Sequence, residues 1–242
     1  MRKKARFYIL NIILFLVILG VIAFLFIYIC CGVKSRTFAG STVYSDEELT
    51  EMLFKEKYDD NVVSSWFMGI FRPKTGIPFV EKVTIMPTSL TEVKVTVKEK
   101  ERYGVVQTSD TDFYYFDSKY NLTEHSDRYI EGTPLFMLPA FSGKAKEGSP
   151  LPTSGANKKT MGTIIDETAK RGISVADTVI SDDGSIVMNY GTIEIRLGTR
   201  TNLKEKIMRL PYVLPNLQGL SGILHLEDWT EENTDIVFEK TG

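Results

Sequence analysis

The stretch FYILNIILFLVILGVIAFLFIYICC, Phe7 to Cys31, runs for 25 residues without a charge, and Asn11 is its one strongly polar side chain. At 1.5 Å rise per residue it is long enough to cross a ~30 Å hydrocarbon core. Lipid offers no partner to backbone N–H and C=O groups, so a crossing segment of this kind has to be helical. The flanks set its direction. Arg2, Lys3, Lys4 and Arg6 precede it, whereas Lys34 and Arg36 alone follow closely before the acidic run Asp46-Glu47-Glu48. The positive-inside bias places residues 1–6 in the cytoplasm as a short tail, residues 7–31 in the membrane, and the rest of the chain outside. A cleaved signal peptide shares the basic start, but its apolar region is roughly 7–15 residues long and ends at small side chains. Ile27-Tyr28-Ile29-Cys30-Cys31 offers no such site, and the bulky pair before Cys30 argues against lipoprotein processing. The expectation is an uncleaved single-pass anchor.

Some 210 residues follow Cys31, enough for one large or two small domains. The net charge of −2 supplies no basic field for nucleic acid. Cys30 and Cys31 are the chain's two cysteines, so the exported part has no thiol for a disulfide framework, a metal site or a nucleophile. Its stability has to come from a packed core.

A first unit, residues 32–102, reads as β-α-α-β-β. Val33 to Ala39 suits a short strand and Gly40-Ser41 a turn. Ser45-Asp46-Glu47-Glu48 fits a capping box, with Ser45 as N-cap, and Leu49, Met52 and Leu53 continue one helical face. Trp66-Phe67-Met68 with Ile70-Phe71 predicts a second short helix ahead of the breaker region Pro73 to Pro78. Phe79 to Met86 and Glu92 to Glu99 are strands, the latter with Val93, Val95 and Val97 on one face.

From Gly104 the pattern changes to short strands separated by polar turns: Val105-Val106, Phe113 to Phe116 and Leu135 to Leu138. Residues 142–157 read as a loop. Met161, Ile164, Ile165 and Ala169 mark a helix stopped by Gly172. Val175 to Ile180 and Ser185 to Asn189 are strands joined at Asp182-Asp183-Gly184, and Thr192 to Leu197 is another. A helix from Asn202 carries Leu203, Ile207 and Leu210 and is kinked or ended by Pro211 and Pro215. Ile223 to Asp228 is the last clear strand. Residues 103–229 thus form a mainly antiparallel β domain with two helices, and residues 230–242 a tail with room for one more short strand. The fold class is α+β.

This order of parts resembles the bacterial division proteins called FtsQ in some lineages and DivIB in others. The resemblance covers nearly the whole chain. It is carried by Gly40 with Tyr44-Ser45-Asp46-Glu47-Glu48-Leu49, by Pro78-Phe79-Val80-Glu81-Lys82-Val83, and by Val93-Lys94-Val95-Thr96-Val97-Lys98-Glu99-Lys100. Thr192 to Gly198, the Lys-rich helix to Leu214-Pro215, and Gly222-Ile223-Leu224-His225-Leu226 carry it at the other end. Ser41 stands where the family often has Asn, and Pro211 interrupts a helix that is usually continuous.

The resemblance implies a POTRA domain over 32–102 and a non-enzymatic, bitopic member of the divisome at the division septum of the bacterial cell membrane. It implies partners of the FtsL and FtsB or DivIC type, with the septal peptidoglycan synthase as a further candidate, and a part in controlling septal peptidoglycan synthesis. It also implies strand addition at the end of the β domain, which places partner-binding residues at Ile223, His225, Leu226, Glu227 and Trp229. Within that stretch Leu224 and Leu226 are the core-facing side chains, while His225, Glu227 and Trp229 are placed to face a partner, with Trp229 capping the core as the alternative.

Other readings find less in the residues. No catalytic, cofactor-binding or metal-binding constellation assembles: His125 sits in a polar turn and His225 in a strand beside Glu227. Asp182-Asp183-Gly184 lacks the later ligands of a calcium loop, and neither a Gly-rich phosphate loop nor a Ser-x-x-Lys motif occurs. A membrane-anchored envelope hydrolase therefore has no residues to rest on, and no small-molecule substrate is expected. A secretion or assembly factor with POTRA domains shares one unit but would carry repeats or a barrel. A membrane-anchored adaptor with a POTRA domain has the same layout and stays open as the alternative, whereas an anchored sensor would need an output domain and some six residues are left inside.

Overall fold

The computed structural model describes residues 2–141 and 143–241. Met1, Ser142 and Gly242, which begin the expected cytoplasmic tail, begin the expected loop and end the expected C-terminal tail, lie outside the described residues. The chain divides into two compact units, Met1–Lys100 and Glu101–Gly242. The fold is α+β, with an apolar N-terminal helix and a large mixed sheet.

In the first unit, α1 (Arg2–Cys30) is one continuous helix, and its part Leu10–Cys30 is long and apolar enough to cross a membrane. The C-terminal end of α1 is built into the core of this unit. The Cys31 side chain is buried there, with Ile27 and Val33 packed alongside. β1 (Ser35–Ala39) runs parallel to β3 (Glu92–Glu99), and β3 pairs antiparallel with β2 (Val80–Pro87), in the order β1-β3-β2. Between β1 and β2 lie α2 (Asp46–Leu53), a 3-10 turn (Lys57–Asp60) and α3 (Val62–Phe71). The alternation in β3 decides which face is covered: Val93, Val95 and Val97 are buried and share one core with Leu49, Leu53 and Val62 of the helices.

The capping box predicted for α2 forms. Ser45 Oγ accepts from the Glu48 N–H, and the Glu48 carboxylate accepts from the Ser45 N–H at 2.8 Å. The turn before it depends on glycine, because Gly40 has φ +90° and an added Cβ would lie 2.3 Å from the Val97 carbonyl oxygen. The 3-10 turn carries a buried Asp59 whose carboxylate takes the Lys74 ammonium at 2.8 Å, so the segment after α3 is tied back to the turn before it.

The second unit is a nine-stranded sheet, in the order β12-β11-β10-β9-β8-β7-β4-β5-β6. The strands are β4 (Gly104–Ser109), β5 (Asp112–Phe116), β6 (Leu122–Ser126), β7 (Leu135–Met137), β8 (Asp177–Ile180), β9 (Ile186–Tyr190), β10 (Ile193–Gly198), β11 (Gly222–His225) and β12 (Val237–Lys240). The sheet is mixed: β4/β7, β7/β8 and β10/β11 are parallel, and the other five pairings are antiparallel. Parallel neighbours need a crossover. α4 (Gly155–Arg171) lies between β7 and β8 in the chain, and α5 (Leu203–Val213) between β10 and β11. Both helices contribute to one core with the sheet, α4 through Met161, Ile164 and Ile165 and α5 through Leu203, Ile207 and Leu210. In β10 the buried Ile193, Ile195 and Leu197 alternate with half-exposed Glu194 and Arg196, as expected of a sheet covered on one side.

Several boundaries differ from the sequence reading. β6 was not expected, and it carries His125, which the sequence places in a turn. α4 begins inside the expected loop, because the Ser154 hydroxyl caps it by accepting from the Asn157 N–H. α5 continues through Pro211 to Val213 and passes into a 3-10 turn, Leu214–Leu217. Gly172 does end α4, in the left-handed conformation. The expected tail supplies β12, the further short strand it had room for.

β5 is buried on both faces. Tyr114 and Phe116 join the main core, while the Phe113 ring meets Tyr129 at 5.9 Å on the other side. There the Tyr115 hydroxyl donates to the Arg128 carbonyl at 2.8 Å and accepts from the Ile130 N–H at 2.7 Å, fastening segment 128–130 over the sheet. Burial first of all, with the nearby Tyr129, pushes this phenol up to about 12 against the opposing pull of the Ile130 N–H. A raised phenol pKa gives stability that is complete below about pH 10 and lost as pH rises towards 12. Tyr115→Phe should cost about 1 kcal/mol at neutral pH, because it leaves the half-buried Ile130 N–H without this acceptor. The variant should also lose less stability than the parent between pH 10 and 12, as read by urea titrations at each pH.

Candidate functional site

A sheet of this size ends in two edges, and the chain treats them differently. At the β6 edge, the Leu122 N–H donates to the Ser149 carbonyl at 2.8 Å, Gly148 N–H donates to the Leu122 carbonyl at 2.7 Å, and Asn121 bridges Pro150. A loop therefore occupies the start of the outer side of β6, at Leu122. At the other end β12 pairs with β11 on one side only, and no strand lies on its far side among the described residues.

The register Gly222↔Lys240, Ile223↔Glu239, Leu224↔Phe238 and His225↔Val237 sets which groups β12 leaves open. The Thr241 N–H donates inward, to the Ser221 carbonyl at 3.0 Å. By the alternation of an antiparallel ladder, Val237 and Glu239 also direct their backbone groups inward, and Phe238 and Lys240 direct theirs outward. Close approach of the two strands relies on Gly222, where a Cβ would lie 2.2 Å from the Glu239 carbonyl oxygen and 2.7 Å from the Phe238 ring. Phe238 packs against the core, while Val237 is exposed.

The five residues expected to meet a partner are distributed differently. Ile223 and His225 lie in β11, whose two sides are taken by β10 and β12, so β11 is an interior strand. His225 is half-buried, with Nδ1 at 3.1 Å from Glu227 and Nε2 at 3.5 Å from Glu239 of β12, so it clips the two strands together. Leu226 is buried, and its N–H donates to the Arg196 carbonyl at 2.9 Å, so a proline there would break an internal bond. Trp229 is 2% exposed in the core, with the Arg209 guanidinium 5.0 Å above its ring. Glu227 is half-exposed beside His225. The structure brings Ile223, His225 and Glu227 together behind β12 and turns Leu226 and Trp229 inward. The strand that presents open backbone lies in the expected tail, where Thr230 to Asp235 is uniformly polar and Ile236-Val237-Phe238 is the signal for a strand.

Under this edge lies a buried ammonium. Lys206 of α5 donates to the Leu197 carbonyl at 2.7 Å and the Glu227 carbonyl at 2.9 Å, joining α5 to the end of β10 and the turn after β11. Burial pulls its pKa down, opposed by the Glu227 and Asp228 carboxylates. Gly198 allows the same approach, since its φ is +67° and a Cβ would lie 2.9 Å from Glu227 Cα.

The second histidine is elsewhere. His125 Nε2 contacts the Asp112 carboxylate, and its ring stacks on Tyr114 at 4.3 Å. Thr108 and Tyr114 hydroxyls also donate to Asp112, and these bonds, His125 foremost, hold that carboxyl below its ordinary range. Converging donors of this kind clip the β4–β5–β6 strands at one end. Among the described residues no group of three or more His, Cys, Asp or Glu side chains stands ready for a metal ion.

No family model matches the chain, and no curated protein matches it either.

Lys206→Met keeps the stem and removes the donor. It should destabilise the second unit by about 1–3 kcal/mol, since two interior carbonyls lose their charged partner. Urea unfolding followed by Trp229 emission in a Trp66→Phe background reads this directly, because Trp229 lies two residues from Glu227 and the chain has two tryptophans.

Proposed function

We propose that the chain is a non-enzymatic bitopic scaffold of the FtsQ/DivIB kind. In this reading α1 anchors it in a bacterial cell membrane with the N-terminus inside, and both units stand outside the cytoplasm at the division septum. There it binds FtsL- and FtsB- or DivIC-like partners and helps control septal peptidoglycan synthesis. The observation that carries the reading is the open backbone of β12, the edge strand that ends the nine-stranded sheet. A partner segment in extended conformation would add to β12 through the outward groups of Phe238 and Lys240, and the exposed Val237 with Glu239 would set side-chain preference. This moves the partner-binding strand from Ile223–Trp229 to Val237–Lys240.

Three further features support it. The basic residues Arg2, Lys3, Lys4 and Arg6 favour the N-inside orientation. The first unit has the order β1-α2-α3-β2-β3 that the resemblance implies for a POTRA domain. The four residues of β12 carry Glu239 and Lys240, and a short charged edge resists indiscriminate pairing while leaving room for one specific strand.

Lys240→Pro removes one outward N–H and leaves the inward ladder of β12 in place. Capture of FtsL- and FtsB-like partners by the full chain should weaken about tenfold or more, with the circular dichroism of the chain unchanged. Undiminished capture by the folded variant would overturn the edge reading. A fluorescent fusion of the full chain should concentrate at midcell, and depletion should give filamentous cells or heat-sensitive division. Even distribution around the envelope with normal septation would count against the division role.

A further inference from the structure

Helix α3, VVSSWFMGIF from Val62 to Phe71, carries its side chains in reverse of the usual soluble arrangement. Val62 and Ser65 are buried and Gly69 faces the sheet, its position 3.7 Å from Ile85 Cδ1 were it to bear a Cβ. The side turned to the sheet therefore offers small residues. On the far side stand Trp66, Phe67, Ile70 and Phe71, exposed by 38%, 52%, 58% and 66%. At 100° per residue these four span an arc of about 140°, and none is charged. The Phe67 and Phe71 rings lie 4.7 Å apart, so the surface is continuous. A contiguous apolar face of this kind marks an interaction site.

The position of α3 says what covers it. Its N-cap, Asn61, donates from Nδ2 to the Ile27 carbonyl of α1 at 2.8 Å, while Asn61 Oδ1 accepts from Val63 and Ser64 N–H. The Val62 N–H, first of α3, donates to the Cys31 carbonyl at 2.8 Å, and Gly32 bridges Asn61. Helix α3 thus starts within hydrogen-bonding distance of the point where the apolar part of α1 stops. The headgroup zone on each side of a bilayer is only roughly 5–8 Å deep. A helix that starts at that depth and carries aromatic and branched apolar side chains has the composition of an interfacial helix, and Trp is enriched in that zone. The exposed Arg72 directly after the helix suits anionic headgroups.

We infer that α3 is a second membrane contact, lying in the boundary of the leaflet from which α1 emerges with Trp66, Phe67, Ile70 and Phe71 between the acyl chains and the headgroups. The inference rests on the reading of α1 as a membrane anchor. The first unit is then held at two places and cannot swing about the end of α1.

The chain reports on this itself, since α1 contains no tryptophan and Trp229 is buried in the second unit. The full chain would be reconstituted into vesicles of phosphatidylethanolamine and phosphatidylglycerol, with or without lipids brominated near the headgroup end of the acyl chain. The emission difference between the chain and Trp66→Phe isolates Trp66. About half of that emission should be lost in brominated vesicles. Phe71→Trp in the Trp66→Phe chain places a second reporter at the most exposed of the four positions and should be quenched likewise. Flotation after alkaline carbonate extraction tests the anchor separately. Retention with quenching of both reporters supports the inference. Retention without quenching overturns it and leaves the anchor standing; a blue-shifted but unquenched Trp66 would assign the face to a protein, a second copy included. Release by carbonate overturns the anchor reading and this inference together.

Discussion

The backbone carbonyls at the end of α1 receive donors from outside the helix, and the structure of the first unit depends on those bonds. Asn61 and Val62 donate to Ile27 and Cys31, and the side chain of Cys31 is drawn into the core with Val93, Val95 and Val97. One asparagine serves both helices, ending α1 with its amide N–H and starting α3 with its carbonyl oxygen. A chain leaving a bilayer through a flexible linker would let its domain wander. Here Gly32 already bridges Asn61 and β1 begins at Ser35, so the direction of the first unit is set by hydrogen bonds rather than by linker length.

The second unit is organised by a different constraint, the management of sheet ends. A nine-stranded open sheet exposes two rows of backbone groups, and each is an invitation to pairing. The β6 row is met at its start, Leu122, by the chain's own loop through Gly148 and Ser149. The β12 row is left open, though short and charged. Behind it the strands are fastened with care: Lys206 bonds two carbonyls, His225 spans Glu227 and Glu239, and Gly198 and Gly222 permit contacts that a Cβ would block. Rigid support beneath a single unpaired strand is the arrangement that strand addition needs, because the partner then meets a preformed ladder.

Much of this was legible from local chemistry. The α2 capping box depends on four consecutive residues, β3 on a period of two, and the end of α4 on one glycine; each structure is closed by groups near in sequence. What local chemistry left open was pairing. Leu122-Thr123-Glu124-His125-Ser126 alternates too weakly to announce β6, and Val237 to Lys240 is too short to stand apart from the polar residues before it. Both become strands because a neighbour supplies the other half of the ladder. Alternation also says nothing of direction, so the parallel pairings β4/β7, β7/β8 and β10/β11 had no signal. The same holds for Pro211, whose lost N–H ends many helices but here sits inside α5 while Ile207 and Leu210 hold the helix on the core.

By itself the sequence determined the properties that come from composition and short-range period. These are the membrane-length apolar helix, the basic flank before it, an α+β chain without cysteines beyond that helix, and the faces of most helices and strands. Only the tertiary structure decided which strand ends the sheet. Because β12 covers β11, the open groups are those of Phe238 and Lys240, and the packing of the second unit takes Trp229 into the core. The physical reason is that burial and edge status are relations between segments far apart in the chain. The hydrophobicity of a strand tells which of its faces is dry, but a hydrogen-bonding edge is free or filled according to whether another strand reaches it.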